Sequence, residues 1–72
     1  MKFEDIFKEK GLYKAESFAK GCCYEVGKDD CLYLLEYDNK DDLTPKRTNA
    51  ICYKAMFEKD YMKVFTRQSL FQ

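Results

Sequence analysis

The stretch KGCCYEVGKDDCLYLLEY, residues 20–37, contains two apolar runs separated by a short polar turn, and it holds three of the chain's four cysteines. Short apolar and aromatic runs on either side of turn-forming residues predict a β-hairpin. If residues 27–30 form a four-residue loop, every pair on one face of the hairpin is apolar or aromatic: Val26 with Cys31, Tyr24 with Tyr33, and Cys22 with Leu35.

A second register of this hairpin differs by one residue. It would set Cys22 opposite Glu36 and Glu25 opposite Tyr33, and a shift of one residue moves every side chain to the other face. We therefore predict the first register, in which Cys23 points away from the apolar face. Leu32 and Leu34 on that other face predict that the second strand is central and buried on both sides.

The four cysteines, at positions 22, 23, 31 and 52, lack the paired spacing of a structural zinc site. Adjacent residues on a strand point to opposite faces, and no hairpin register sets position 31 opposite 22 or 23, so no local disulfide is predicted. A catalytic thiolate needs a histidine or an electropositive setting, and the chain has no histidine. We predict reduced cysteines that fill space in the core.

Length and composition limit the kind of protein. Seventy-two residues make one domain, and six Tyr and six Phe supply large side chains for a small core. The sequence has no apolar run long enough to cross a bilayer, and its first residues, MKFEDIFKEK, do not resemble a signal peptide. We predict a cytoplasmic protein without a membrane association.

Hydrophobic spacing predicts the remaining elements. Phe3, Ile6 and Phe7 follow a helical period, which predicts a helix at residues 2–10 that ends before Gly11. The predicted strands cover residues 12–18, 22–26, 31–37, 50–57 and 61–66, and the polar stretch 38–49 is predicted to be a loop. Gly21 supplies the positive φ angle of a turn or bulge.

Three alternatives stay open for these elements. Residues 12–20 also fit a helix, as do residues 50–64, and Thr44 followed by Pro45 is a typical helix start. Aromatic and β-branched residues favour strands over a helix in the C-terminal third, with a turn at residues 58–60.

Charge is uneven along the chain. Residues 1–42 carry a net charge of −4 and residues 43–72 a net charge of +4, which predicts two surfaces that attract each other within the fold or between copies. The alternative is an anionic partner for the basic third. The candidate binding residues combine cations with a tyrosine: Lys46, Arg47, Lys54, Tyr61, Lys63 and Arg67.

Carboxylates and glycines carry weaker signals. Asp29 and Asp30, and the aspartates of the loop at 38–42, lack the spacing and the closing glutamate of a calcium-binding EF-hand. Turn-forming aspartates in solvated loops explain them. With three glycines in the chain and no GxxxxGK[ST], GxGxxG or GxSxG motif, we predict no metal and no cofactor.

Three segments resemble, in order, a family of small bacterial and phage domains: KGCCYEV at 20–26, ICYKAMF at 51–57 and FTRQSLF at 65–71. The family pattern is K-G-x-x-Y-E-V, then a V-Y-R-A-L-Y-like strand, then V-R-P-x-x-M-F. The resemblance implies a compact SH3-like β-barrel with no established activity. Gln68 replaces the family's proline, and the histidine that commonly follows its first tyrosine is missing, so no functional residue is carried over.

We therefore predict an α+β domain with a short N-terminal helix packed on a strongly bent antiparallel β-sheet, or partly open small barrel, of four to five strands. Because no catalytic constellation is visible, we predict a non-enzymatic module that binds another protein or forms a homodimer. Its size and its eleven lysines to two arginines are typical of phage or mobile-element accessory and inhibitor proteins. The alternative is nucleic-acid binding through the basic C-terminal third; an enzyme built on Cys52 or the aspartates is the least favoured.

Overall fold

The structure, a computed structural model, describes residues 1–50 and 60–72 of the chain. Five antiparallel strands in these residues form one sheet: β1 (Leu12–Lys14), β2 (Cys22–Val26), β3 (Leu32–Glu36), β4 (Lys46–Asn49) and β5 (Met62–Val64). Their order is β4-β3-β2-β1-β5, so β4 and β5 are the two edges and the sheet is open in the described part of the chain.

The predicted helix at residues 2–10 is wrong in type and length, because Phe3–Phe7 form a 3₁₀ helix of five residues. A segment this short has too few internal hydrogen bonds to hold an α-helix by itself. The side chain of Asp5 accepts a hydrogen bond from the Lys2 N–H at 3.1 Å and stabilises the start of the turn. Ile6 is fully buried, and the two phenylalanines pack against the same cluster of core residues.

The hairpin of β2 and β3 is confirmed, but the predicted register is wrong. Cys22 lies opposite Glu36 and Cys23 opposite Leu35, which is the register that the apolar pattern disfavoured. The turn has three residues rather than four, because the Gly27 N–H donates to the Cys31 carbonyl at 2.9 Å. Asp30 adopts a left-handed conformation (φ 61°), as expected for a type I turn followed by a bulge.

Burial on both faces explains why the apolar pattern did not select the register. The Tyr13 cluster lies on one side of the sheet and contains Ile6, Tyr13, Ala15, Val26, Leu32 and Tyr61. The Leu35 cluster lies on the other side and contains Cys23, Leu35, Val64 and Leu70. Because both faces of the sheet have apolar partners, a one-residue shift of the register would leave no group of apolar side chains exposed to solvent. Burial therefore does not distinguish the two registers, and the geometry of the turn decides which of them forms.

The predicted strand 12–18 is too long, because β1 ends at Lys14. The chain then turns, with the Phe18 N–H bonded to the Ala15 carbonyl and the Cys22 N–H to the Ala19 carbonyl. The alternative helix at residues 12–20 is not formed either.

Gly21 has the predicted positive φ, at 83°. It ties three parts of the fold together, because its N–H donates to the Leu70 carbonyl at 2.9 Å and its carbonyl accepts from the Tyr37 N–H at 2.8 Å.

The predicted loop at 38–49 contains a strand, since β4 (Lys46–Asn49) pairs with β3. All four β4 residues are exposed, so the strand has no hydrophobic alternation that could reveal it in the sequence. Pro45 directly precedes it, which is a position that an edge strand tolerates. The predicted helix start at Thr44 and Pro45 is therefore not used.

The C-terminal part is described from residue 60. The strand predicted at 61–66 is shorter, at Met62–Val64, and a 3₁₀ helix that was not predicted follows at Arg67–Phe71. The predicted strand at 50–57, apart from Ala50, and most of the predicted turn at 58–60 lie outside the described residues. No helix among the described residues has the length and the apolar character to cross a bilayer.

We expect Gly21→Ala to destabilise the fold by about 1–3 kcal/mol or more, since an L-residue is strained at this φ. A Cβ would also stand 2.5 Å from the Tyr37 carbonyl oxygen and 3.0 Å from the Phe71 ring. Gly11→Ala is the matched control, because Gly11 also has a positive φ, while its Cβ would meet only the Lys63 side chain at 3.8 Å. Urea unfolding followed by circular dichroism measures both, and equal losses would contradict the steric explanation.

The turn at residues 28–30 generates a second expectation. Asp30→Gly should stabilise the protein by about 0.5 kcal/mol, because glycine adopts the left-handed conformation without a steric cost. Asp29→Gly should destabilise it, because the Asp29 carboxylate accepts hydrogen bonds from the Cys31 N–H at 3.1 Å and the Tyr33 hydroxyl at 2.7 Å. Thermal unfolding of both variants tests the assignment, and a loss of stability in Asp30→Gly would speak against it.

Candidate functional site

The structure does not bring the six predicted binding residues together. Lys46 and Arg47 lie on β4, and Lys63 lies on β5 at the opposite edge of the sheet. Arg67 begins the C-terminal 3₁₀ helix, and Tyr61 is 2 % exposed and belongs to the Tyr13 cluster. Lys54 lies outside the described residues.

Three of these cations contact groups of the same chain. The Arg47 Nε donates to Glu25 Oε1 at 2.9 Å, and the Lys63 ammonium bonds to the Glu9 carboxylate. The Arg67 Nε donates to the Lys40 carbonyl at 2.8 Å. Two of the acceptors are acids of the N-terminal half, so part of the charge asymmetry along the sequence is neutralised inside the fold.

The register of β2, β3 and β4 places Glu25, Tyr33 and Arg47 on one face of the sheet. Glu25 lies opposite Tyr33, and Tyr33 in turn lies opposite Asn49, two residues after Arg47. The Arg47 guanidinium carbon stands 3.7 Å from the centre of the Tyr33 ring, which is a cation–π contact. Together with Asp29, these residues form the Arg47 cluster.

Asp29 completes the cluster from the hairpin turn. The hydrogen bond from the Tyr33 hydroxyl lowers the pKa of the Asp29 carboxyl, and the bond from the Cys31 N–H acts in the same direction. The same contact with Asp29 raises the pKa of the Tyr33 hydroxyl. Both groups therefore keep their ordinary charge states near neutral pH, and the tyrosine is held in place as the support for Arg47.

An open cleft of about 670 Å³ adjoins the Arg47 cluster on the Leu35 face of the sheet. Leu12, Leu35 and Tyr37 contribute its apolar surface. Its charged residues come from three parts of the chain: Lys10 before β1, Glu25 and the turn residues Lys28 and Asp29, and Arg47 on β4. Within the described residues, this is a concave apolar surface with charged groups around it.

The edge strand β5 and the residue that follows it form a second exposed surface, which we call the β5 edge and define by Met62, Lys63 and Phe65. Phe65 is 84 % exposed and Met62 is 50 % exposed. The Lys63 ammonium lies 5.6 Å from the centre of the Phe65 ring and binds Glu9. Val64, between them in sequence, is buried, so the strand is anchored while its neighbours remain accessible.

The cysteines lie in the core or near it rather than in a cluster. Cys23 is fully buried, and burial, helped by the neighbouring Cys22 and Glu25, raises its thiol pKa to about 12. Cys22 and Cys31 are half-buried, and all three are free thiols. In residues 1–50 and 60–72, no three Cys, Asp or Glu side chains are grouped so that they could hold a metal ion; Cys52 lies outside this range.

Comparisons of this chain with protein-family models, with curated proteins and with solved structures find no match. Function therefore has to be inferred from the chemistry and the geometry of the residues. The sequence-based candidates included Arg47 but missed Glu25 and Tyr33, which contact its guanidinium, and Asp29, which holds the Tyr33 hydroxyl. A three-residue turn with Asp30 as its left-handed residue is the sequence signal that would have placed Glu25 opposite Tyr33.

We expect Cys23 to react with a thiol reagent only when the protein unfolds. At pH 8 a thiol with a pKa of about 12 is ionised in roughly one molecule in ten thousand, and the folded chain also blocks access to it. Mass spectrometry after timed iodoacetamide labelling should show modification at Cys22 and Cys31 before Cys23. Labelling of native Cys23 at the rate of Cys31 would contradict the buried position.

Proposed function

We propose that this chain is a non-enzymatic module that binds another protein, and that the β5 edge is its contact surface. The observation that carries the proposal is the exposure of Phe65, at 84 %, directly after the strand that ends the sheet in the described part of the chain. Aromatic side chains and methionine are enriched at protein interfaces, where they bury a large area at a small entropic cost. A phenylalanine ring that stays exposed to water gains none of this stabilisation.

The backbone of β5 supports the same proposal. In the described part of the chain β5 has one sheet neighbour, β1, and an edge strand of this kind can pair with an extended segment of a partner. Charged side chains on an edge usually prevent such pairing. Here the Lys63 ammonium is drawn toward Glu9, and the flanking Met62 and Phe65 are apolar.

A finer description of the fold is part of the proposal. We infer that the sheet bends strongly, toward a partly open small barrel. The support is the strand order, because β5 follows β4 in the chain but lies at the other edge of the sheet. A bend that brings the two edges closer shortens the connection between them.

Binding of nucleic acid through the basic third remains the alternative prediction. Lys46 and Arg47 lie at one edge of the sheet and Lys63 at the other, so they do not form one continuous stripe. Phosphate binding draws on cations that act together along a backbone. The separation favours the protein partner, and with it a cytoplasmic accessory or inhibitory role.

The experiment is affinity capture with the full chain from cells that express it, with and without nuclease treatment. A double variant, Met62→Ser with Phe65→Ser, should lose a defined protein partner by tenfold or more, since removing one buried aromatic anchor costs about 2 kcal/mol. Leu43→Ser is the matched control, because Leu43 is 79 % exposed but lies in the loop before β4.

The proposal requires that the wild type and Leu43→Ser recover the partner equally. Full recovery by the double variant would remove the β5 edge from the contact. Recovery that disappears after nuclease treatment, or that falls steeply with added salt, would support nucleic-acid binding instead.

A further inference from the structure

The Arg47 guanidinium is held in one orientation from two sides. Its Nε donates to Glu25 at 2.9 Å, and its central carbon lies 3.7 Å from the centre of the Tyr33 ring. Tyr33 is itself fixed by the bond of its hydroxyl to Asp29 at 2.7 Å. An arginine that is already ordered loses little side-chain entropy when it binds a ligand.

Its two terminal amino groups are not used in this arrangement. Among the residues that the structure describes, neither amino group of Arg47 has a hydrogen-bond acceptor, since the contact with Glu25 is made through Nε. The two amino groups form the end of a planar fork that matches the spacing of two carboxylate oxygens. The free end therefore has the geometry of a carboxylate receptor.

The rest of the cleft adds to this complementarity. Lys28 lines the cleft from the hairpin turn, and the described residues give its ammonium no acceptor. The Asp29 carboxylate, in contrast, already accepts bonds from Cys31 and Tyr33. Among the described residues that line the cleft, Lys10 is paired with Asp30 and Asp29 already accepts two bonds, whereas Arg47 and Lys28 have donors without an acceptor. These unused donors favour an anionic ligand.

The apolar surface of the cleft indicates what carries the anion. Leu12, Leu35 and Tyr37 lie beside Arg47 in a cleft that is open rather than enclosed. Small-molecule sites usually enclose most of their ligand, whereas an open apolar groove suits an extended chain that crosses it. In an extended peptide, side chains two residues apart point to the same side, so one can fill the groove while the other reaches Arg47.

We propose that this cleft binds an extended peptide segment of another protein that carries a carboxylate side chain two residues from an apolar one. The carboxylate pairs with the terminal amino groups of Arg47, and the apolar side chain packs on Leu12 and Tyr37. The site is separate from the β5 edge and does not depend on it. If the cleft does not bind such a peptide, the proposed contact through Phe65 is unaffected. If the contact through Phe65 is disproved, the proposed peptide site is likewise unaffected.

The test is a titration of the isotope-labelled full chain, followed by ¹⁵N–¹H correlation spectra. The probe is a blocked peptide, acetyl-Ser-Leu-Ser-Glu-Ser-amide, and its control has glutamine in place of glutamate. We expect saturable shifts at the amides of Leu12, Glu25 and Leu35, and about tenfold weaker binding of the glutamine peptide, because hydrogen bonds to charged groups are worth roughly 1.4 kcal/mol or more.

Variants of Arg47 test whether its guanidinium makes the contact with the peptide carboxylate. Arg47→Ala should weaken the glutamate peptide about tenfold, down to the affinity of the glutamine peptide. Arg47→Lys should restore little of it, since an ammonium cannot make the two parallel bonds. Lys46→Ala is the matched control, because Lys46 is exposed on the same strand but points to the other face of the sheet, and it should bind like the wild type.

Equal binding of the two peptides, or unchanged binding by Arg47→Ala, would overturn the proposal. So would the absence of saturable shifts with either peptide in a wild-type protein whose spectrum shows it folded. Acetate at the same concentration is the last comparison. If it reproduces the shifts in full, the cleft is a site for small carboxylates and the proposed peptide partner is wrong.

Discussion

The pairing of β2 with β3 is the constraint on which the rest of the structure depends. With Cys23 opposite Leu35, the thiol is enclosed between the strands of the sheet and the C-terminal 3₁₀ helix. The same register puts Glu25 next to Tyr33, on the face to which Arg47 points. A shift of one residue would separate Glu25 from this face and leave the guanidinium without its support. The core and the candidate peptide site are therefore set by one turn.

Aromatic rings hold the other face together. The Tyr61 ring lies between 6.1 and 6.4 Å from the rings of Phe3, Phe18 and Tyr24, which come from three different segments of the chain. A small domain has little room for a core, so a few large rings must supply most of the buried area. This explains why Tyr61, a binding candidate by its neighbourhood in the sequence, is needed in the interior. Among the described aromatic residues, Phe65 differs from the others because its side chain is exposed.

Much of the fold could be predicted, and the failures have specific physical causes. The strand at 22–26 and the positive φ of Gly21 follow from local pattern and from glycine's freedom. β4 could not be found, because a fully exposed edge strand has no buried face to impose alternation. The N-terminal helix was predicted too long, since periodicity in three residues does not reveal whether enough turns exist to form an α-helix. Arg47 was predicted as a binding candidate from its charge, but its contacts with Glu25 and Tyr33 could be predicted only from the correct register of β2 and β3.

The sequence by itself determined a small aromatic core, a hairpin at residues 22–36, a glycine turn at its start and an uneven distribution of charge. These features rest on composition and on contacts between near neighbours, which local rules describe. For the described residues, the tertiary structure decided which face the cysteines occupy, which strands form the edges of the sheet and which cations keep unused donors. Local patterns do not determine these features, because both faces of the sheet are apolar and the same strands could turn either face to either side. The acids that neutralise Arg47 and Lys63 also come from distant parts of the chain.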